Sequence, residues 1–93
     1  MTLTFVPWGE EPPLFDWDDD NIGKFLSHGV YDFEVEQCFE NEYQAIRKKS
    51  KIRDDERKDR YWVLGVTDSG RRLQILIQHK GGSVIRPITG WDA

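Results

Sequence analysis

Ninety-three residues supply one domain, since two would each be too short to build a core of their own. The single cysteine, Cys38, excludes an internal disulfide, and no apolar stretch approaches the roughly 20 residues of a membrane-spanning helix. The net charge of −4 hides a division: residues 1–46 carry eleven acids against one base, Lys24 (−10), and residues 47–93 carry twelve bases against six acids (+6). A basic half attracts phosphate, and an acidic half repels it or docks a basic partner; two solvated surfaces of opposite sign are the plainer alternative.

In chain order, residues 1–13 read as an N-terminal extension with a short strand over 3–8, ended by the Pro12-Pro13 pair. Glu10, Glu11 and the prolines do not read as a secretory leader, so the cytoplasm is the expected compartment. Residues 15–17 form an extended lead into a helix over 19–28. Asp18 is its N-cap, Asp19 and Asp20 suit the positive end of the helix dipole, and Ile22, Phe25 and Leu26 share one face. Gly29 after His28 ends it.

Asp32 is the expected N-cap of a second helix over 33–40, with Val35, Cys38 and Phe39 as its apolar face and Asn41 as its stop. On that face Cys38 reads as core filler. Residues 43–48 suit a strand, which runs into a charged link over 47–60. The last third carries the strongest pattern. Residues 61–67 are β-branched and aromatic, Asp68-Ser69-Gly70 is a turn, and 71–79 alternates with Leu73, Ile75 and Ile77 on one face. Lys80-Gly81-Gly82 is a second turn before a strand over 83–89, where Pro87, lacking an N–H, predicts an edge or an end. Short connections require antiparallel neighbours. The expected fold is α+β, two short helices followed by a three- to four-stranded antiparallel sheet. Twelve aromatic residues suit the thin core of so small a chain.

There is no glycine-rich phosphate loop and no Cys or His pair at metal-ligand spacing, so neither cofactor nor metal is expected. The run Asp18-Asp19-Asp20 lacks the spacing of a calcium loop and is explained by helix capping. Arg60 and Arg86 sit within or beside strands, where a planar guanidinium is already oriented to clamp phosphate. The competing reading pairs each with an acid such as Asp59 or Glu56. Arg57, Lys58, Arg71, Arg72 and Lys80 are the further candidates for phosphate contact. His79, at the end of the second strand of the last third, is either a general acid–base near neutral pH or a surface residue beside a turn. Trp17, Trp62 and Trp91 either stack on bases or fill the core. Trp91, following Gly90, has the further option of packing in trans against a partner.

Phe15-Asp16-Trp17-Asp18 with Asn21, then His28-Gly29-Val30, resembles the opening of the BrnT-type toxins of bacterial toxin–antitoxin pairs. Glu34 to Phe39 resembles that family's second helix, Arg60-Tyr61-Trp62-Val63-Leu64-Gly65 its Arg-Phe-x-x-x-Gly strand, and Ser69-Gly70-Arg71 the turn that follows. Ile85-Arg86-Pro87-Ile88-Thr89 resembles its last strand, so the likeness covers residues 14 to 91. The resemblance implies a RelE-like ribonuclease fold, metal-independent RNA cleavage that arrests translation, and inhibition by a ribbon-helix-helix antitoxin bound as a hetero-oligomer. It places Arg60 and Arg86 on the family's basic strand positions, and Trp17 and His28 on its signature positions. The family's last strand usually continues to an arginine and a basic helix, where this sequence has Gly90-Trp91.

Three functional expectations follow. The first is a ribonuclease toxin in which Arg60 and Arg86 stabilise phosphate charge and His79, or Lys58 or Glu56 of the link, moves the proton. The second is an inactive relative that binds a protein partner through the last strand and Trp91. The third is an unrelated RNA-binding domain.

Overall fold

The computed structural model describes residues 6–47 and 59–93. Along the chain run β1 (Leu14–Phe15), α1 (Asp19–Ser27), α2 (Asp32–Glu40), β2 (Gln44–Arg47), β3 (Arg60–Val66), β4 (Arg72–Gly81) and β5 (Val84–Asp92). The α+β class is as expected. The sheet is not purely antiparallel and not three- to four-stranded: it has five strands in the order β1-β5-β4-β3-β2, and β1 lies parallel to β5. The strands from β2 to β5 pair antiparallel, as their short connections require.

The parallel strand exists because β5 has an outer edge to satisfy. Leu14 N donates to Ser83 O at 2.9 Å and Asp16 N to Ile85 O at 2.8 Å. The next rung would need an N–H from Pro87, which has none, so the ladder stops there. The side chain of Asn21 substitutes: its Nδ2 donates to Asp16 O at 2.9 Å and to Pro87 O at 2.8 Å. The proline thus ends only the ladder to β1: β5 is neither an edge strand nor ended there, since it lies between β1 and β4 and continues to Asp92.

Both helices begin and end close to where the residues place them. Asp18 caps α1 in a reciprocal box with Asn21: Asn21 N donates to Asp18 Oδ1 at 3.0 Å, and Asp18 N to Asn21 Oδ1 at 2.8 Å. The cap of α2 is Tyr31 and not Asp32, because Glu34 reaches back to accept the Tyr31 N–H at 3.1 Å. Asn41 ends α2 as expected. The expected strand over 3–8 is corrected where it can be seen: Val6 to Trp8 is irregular and turn-like, and residues 1–5 lie outside the described residues. Nor are residues 6–13 a mere extension, since Val6 and Trp8 are buried in the core. Most of the charged link, with Arg57, Lys58 and Glu56, also lies outside the described residues.

The core is the layer between the helices and one sheet face. Leu73, Ile75 and Ile77 of β4, Val63 of β3 and Ile85 of β5 meet Phe25, Val30, Val35, Cys38 and Phe39. Cys38 is wholly buried, and burial pushes its thiol up to about 12, so it is packing material and not a nucleophile. Two glycines allow the helices this close. A Cβ on Gly65 would lie 2.6 Å from Cys38 Cβ, and one on Gly90 would lie 2.7 Å from Phe25 Cε1 and 2.8 Å from the carbonyl oxygen of Gln74. The Gln74 carbonyl belongs to the sheet and cannot give way. Gly90→Ala is therefore expected to cost about 2–3 kcal/mol, read as a lower midpoint in urea unfolding. An unchanged midpoint would show that β5 shifts freely away from α1.

Candidate functional site

Alternation along the strands sends every second residue to the sheet face opposite the helices, and no described element packs there. The register builds that face in rows. Arg60, Gln78 and Arg86 are Cα partners across β3, β4 and β5. The next row is Trp62, Leu76 and Thr89, and the one after it is Leu64, Gln74 and Trp91. Arg72 opens β4 on the same face, and no acidic residue of β2 to β5 alternates onto it. The acids of α1 and α2 lie in the other layer. Arg86 nonetheless meets Asp16 and the cap residue Asp18, and Arg71 meets Glu34, so the acidic and basic halves of the sequence are in contact in the fold.

Arg60 is half-buried, and its Nε is completely buried with no hydrogen-bond acceptor among the described residues. Such an unmet donor costs about 1–3 kcal/mol. Arg86 is engaged: Nη2 lies 2.8 Å from Asp18 Oδ2 and Nη1 3.5 Å from Asp16 Oδ2. Its acid partners among the described residues are Asp16 and Asp18, just before α1, and not Asp59; Glu56 lies outside the described residues. The Asn21 N–H and then the Arg86 guanidinium hold the Asp18 carboxyl below its ordinary range. In the sequence Asp18 reads as a cap and, with Asp16, as part of the signature motif; their link to Arg86 depends on the parallel pairing of residues far apart in the chain, which spacing does not show.

His79 is not brought to the arginines. It alternates with Ile77 onto the helix side, where its ring lies 6.2 Å from that of Trp8 and its Nε2 is 2.8 Å from Gly82 O. Arg71 is also spent internally. Its Nε and Nη2 grip both oxygens of Asp92 at 2.6 and 3.0 Å, and its Nη1 reaches Glu34 Oε1 at 3.0 Å and Gly29 O at 2.9 Å. This ties the loop after α1, the first turn of α2 and the end of β5 to one side chain. Arg72 and Lys80 are exposed, Lys80 within the bulge that precedes the Gly81–Gly82 turn.

Trp17 is held inside the fold, donating from Nε1 to Glu36 Oε2 at 2.9 Å and meeting the Phe25 ring at 5.5 Å. Trp91 packs against residues of its own chain. Its ring centroid lies 5.8 Å from Trp62 and 5.6 Å from His28, so the His28 signature position meets the end of β5. Among the described residues no group of three or more His, Cys, Asp and Glu could hold a metal ion, and no helix is long and apolar enough to cross a membrane.

The carboxylates on these arginines give the fold an acid limit. Hydrogen bonds from Arg71 hold Asp92 below its ordinary range, as Asn21 and Arg86 do Asp18. A carboxyl with a lowered folded-state pKa adds stability above its unfolded pKa of about 4, and loses it as the pH falls through the lower folded value. Below about pH 4 the melting temperature should therefore drop. The gap between the parent and Asp92→Asn should narrow over that range, and a constant gap would refute this linkage.

No protein-family model matches this chain, and no curated protein matches it.

Proposed function

We propose that this chain is a toxin-like endoribonuclease of a bacterial type II toxin–antitoxin pair, holding RNA on the sheet face opposite its helices. The observation that carries the reading is the row formed by Arg60 and Arg86 on either side of Gln78, with a buried Arg60 Nε still lacking an acceptor. Two guanidinium groups on one rigid sheet suit a phosphate. The resemblance to BrnT-type toxins supplies the biological class and the partner, a ribbon-helix-helix antitoxin.

Metal-independent cleavage breaks the P–O5′ bond as the 2′ oxygen attacks phosphorus, leaving a 2′,3′-cyclic phosphate and a 5′ hydroxyl. The arginines offset the charge that builds on the phosphate oxygens. With His79 on the other side of the sheet, the proton of the 2′-OH passes to a carboxylate beside Arg86. Asp16 is the better candidate, because Asp18 is held in its ionised form by its cap bond. The leaving 5′ oxygen takes its proton from water.

A second reading has its own observation. Arg86 is already held by two carboxylates, and Ile46 and Leu64 extend the same face as exposed apolar residues, 60% and 40% accessible. Such a face also suits a partner-binding relative without catalysis.

End-labelled RNA incubated with the purified chain in chelator separates the two. Cleavage with cyclic phosphate ends supports the ribonuclease. No cleavage by a folded chain overturns it and leaves the binding reading.

A further inference from the structure

We infer that the outer face of α2 is a docking surface for an arginine-bearing basic segment of a partner protein, with Tyr31 and Phe33 as its contact rings. The inference goes beyond the proposed function and does not depend on it, since this surface belongs to the helix layer and not to the open sheet face.

Helical spacing sets what the face presents. Val35, Cys38 and Phe39 turn inward and are buried. Phe33, Glu36 and Glu40 fall at i, i+3 and i+7 on the opposite stripe, which puts a large apolar ring on the outward side of the helix. The Tyr31 ring, at the N-cap, stacks on it at 12° with centroids 5.5 Å apart. Each of the two residues stays 54% accessible with that stack in place. Stacking takes up one face of each ring and leaves the other.

Charge decides what the rings can receive. The half of the sequence that holds both helices carries eleven acids against one base. Arg86 engages Asp16 and Asp18, and Arg71 engages Glu34. Glu36 and Glu40, about one and two turns from Phe33, make no ion pair among the described residues. Such a surface repels nucleic acid and anionic lipid and attracts a cationic segment. Arginine matches both of its parts. A planar guanidinium lies flat on an aromatic ring and also forks onto a carboxylate, whereas a lysine ammonium matches the charge but not the plane.

The test titrates the full-length chain with a labelled peptide of alternating arginine and alanine, and with its lysine counterpart, following anisotropy at low salt. The arginine peptide should bind more tightly than the lysine peptide. Phe33→Leu should weaken the arginine peptide about twofold to fivefold, the share of one exposed cation–π contact, and leave the lysine peptide nearly unchanged. Adding Tyr31→Leu should remove the preference for arginine. Glu36→Gln with Glu40→Gln should weaken both peptides. Both rings are exposed, so the ring variants should melt with the parent. Equal affinity for the two peptides, an arginine preference that survives both ring substitutions, or no binding of either peptide overturns the docking surface. Dimerisation of the parent that Phe33→Leu abolishes places a second copy on this face and also overturns it. None of these outcomes bears on RNA cleavage, so this inference and the proposed function fail separately.

Discussion

Arg60→Ala is expected to lower RNA cleavage in chelator about 100- to 1,000-fold, the range found when one charge-stabilising donor is removed from an active site. Its effect on stability should be small. The truncation removes the packing of the arginine stem but also an Nε that is buried without an acceptor. The informative comparison is His79→Ala. That ring packs toward Trp8 and bonds Gly82 on the helix side, so its loss should cost about 1 kcal/mol of stability and leave cleavage near the parent's. Arg60→Ala should therefore lower the cleavage rate and leave the urea midpoint nearly unchanged, and His79→Ala the reverse. If His79→Ala loses cleavage and Arg60→Ala keeps it, the reacting phosphate sits on the other side of the sheet.

The second large effect is expected at Asn21, which is buried and uses its amide fully. Its Oδ1 accepts from Asp18 N, and its Nδ2 donates to both Asp16 O and Pro87 O. Asn21→Ala should destabilise the fold by about 2–4 kcal/mol, combining a lost cap with buried carbonyls left unmet. Asn21→Asp should be at least as damaging although it is nearly the same shape. It keeps the acceptor for Asp18 N–H but turns an oxygen toward two carbonyl oxygens. A stable Asn21→Asp would show that the bridge to Pro87 is dispensable. The same variants should weaken any cleavage beyond their effect on stability, because Asn21 holds the segment that carries Asp16 and Asp18 against Arg86.

Local chemistry made part of this protein legible from its residues. Asp18 specifies the start of α1, although of its expected apolar face Ile22, Phe25 and Leu26 only Phe25 is buried and Leu26 is exposed. Val35, Cys38 and Phe39 specify the buried side of α2, and the alternation from Arg72 to His79 specifies β4. Each depends on contacts within one element, so its period appears in the sequence. The same alternation already implied that Arg72, Gln74 and Gln78 would face away from Leu73, Ile75 and Ile77.

What joins distant segments was decided only by the folded chain. The parallel seat of Leu14–Phe15 beside β5 depends on a free edge, and its length on the N–H missing from Pro87, some seventy residues later. The pairing of Arg86 with Asp16 and Asp18 follows from that seat, as does the use of Arg71 to clamp Asp92 and Glu34. Which side of the sheet His79 takes depends on register, since a shift of one residue moves a side chain to the opposite face. The sequence determined which residues could hold charge or stack. The tertiary structure decided which of them share a face: Arg60, Arg86, Trp62 and Trp91 do, and His79 does not, because side chains alternate across a sheet and only pairing sets the phase.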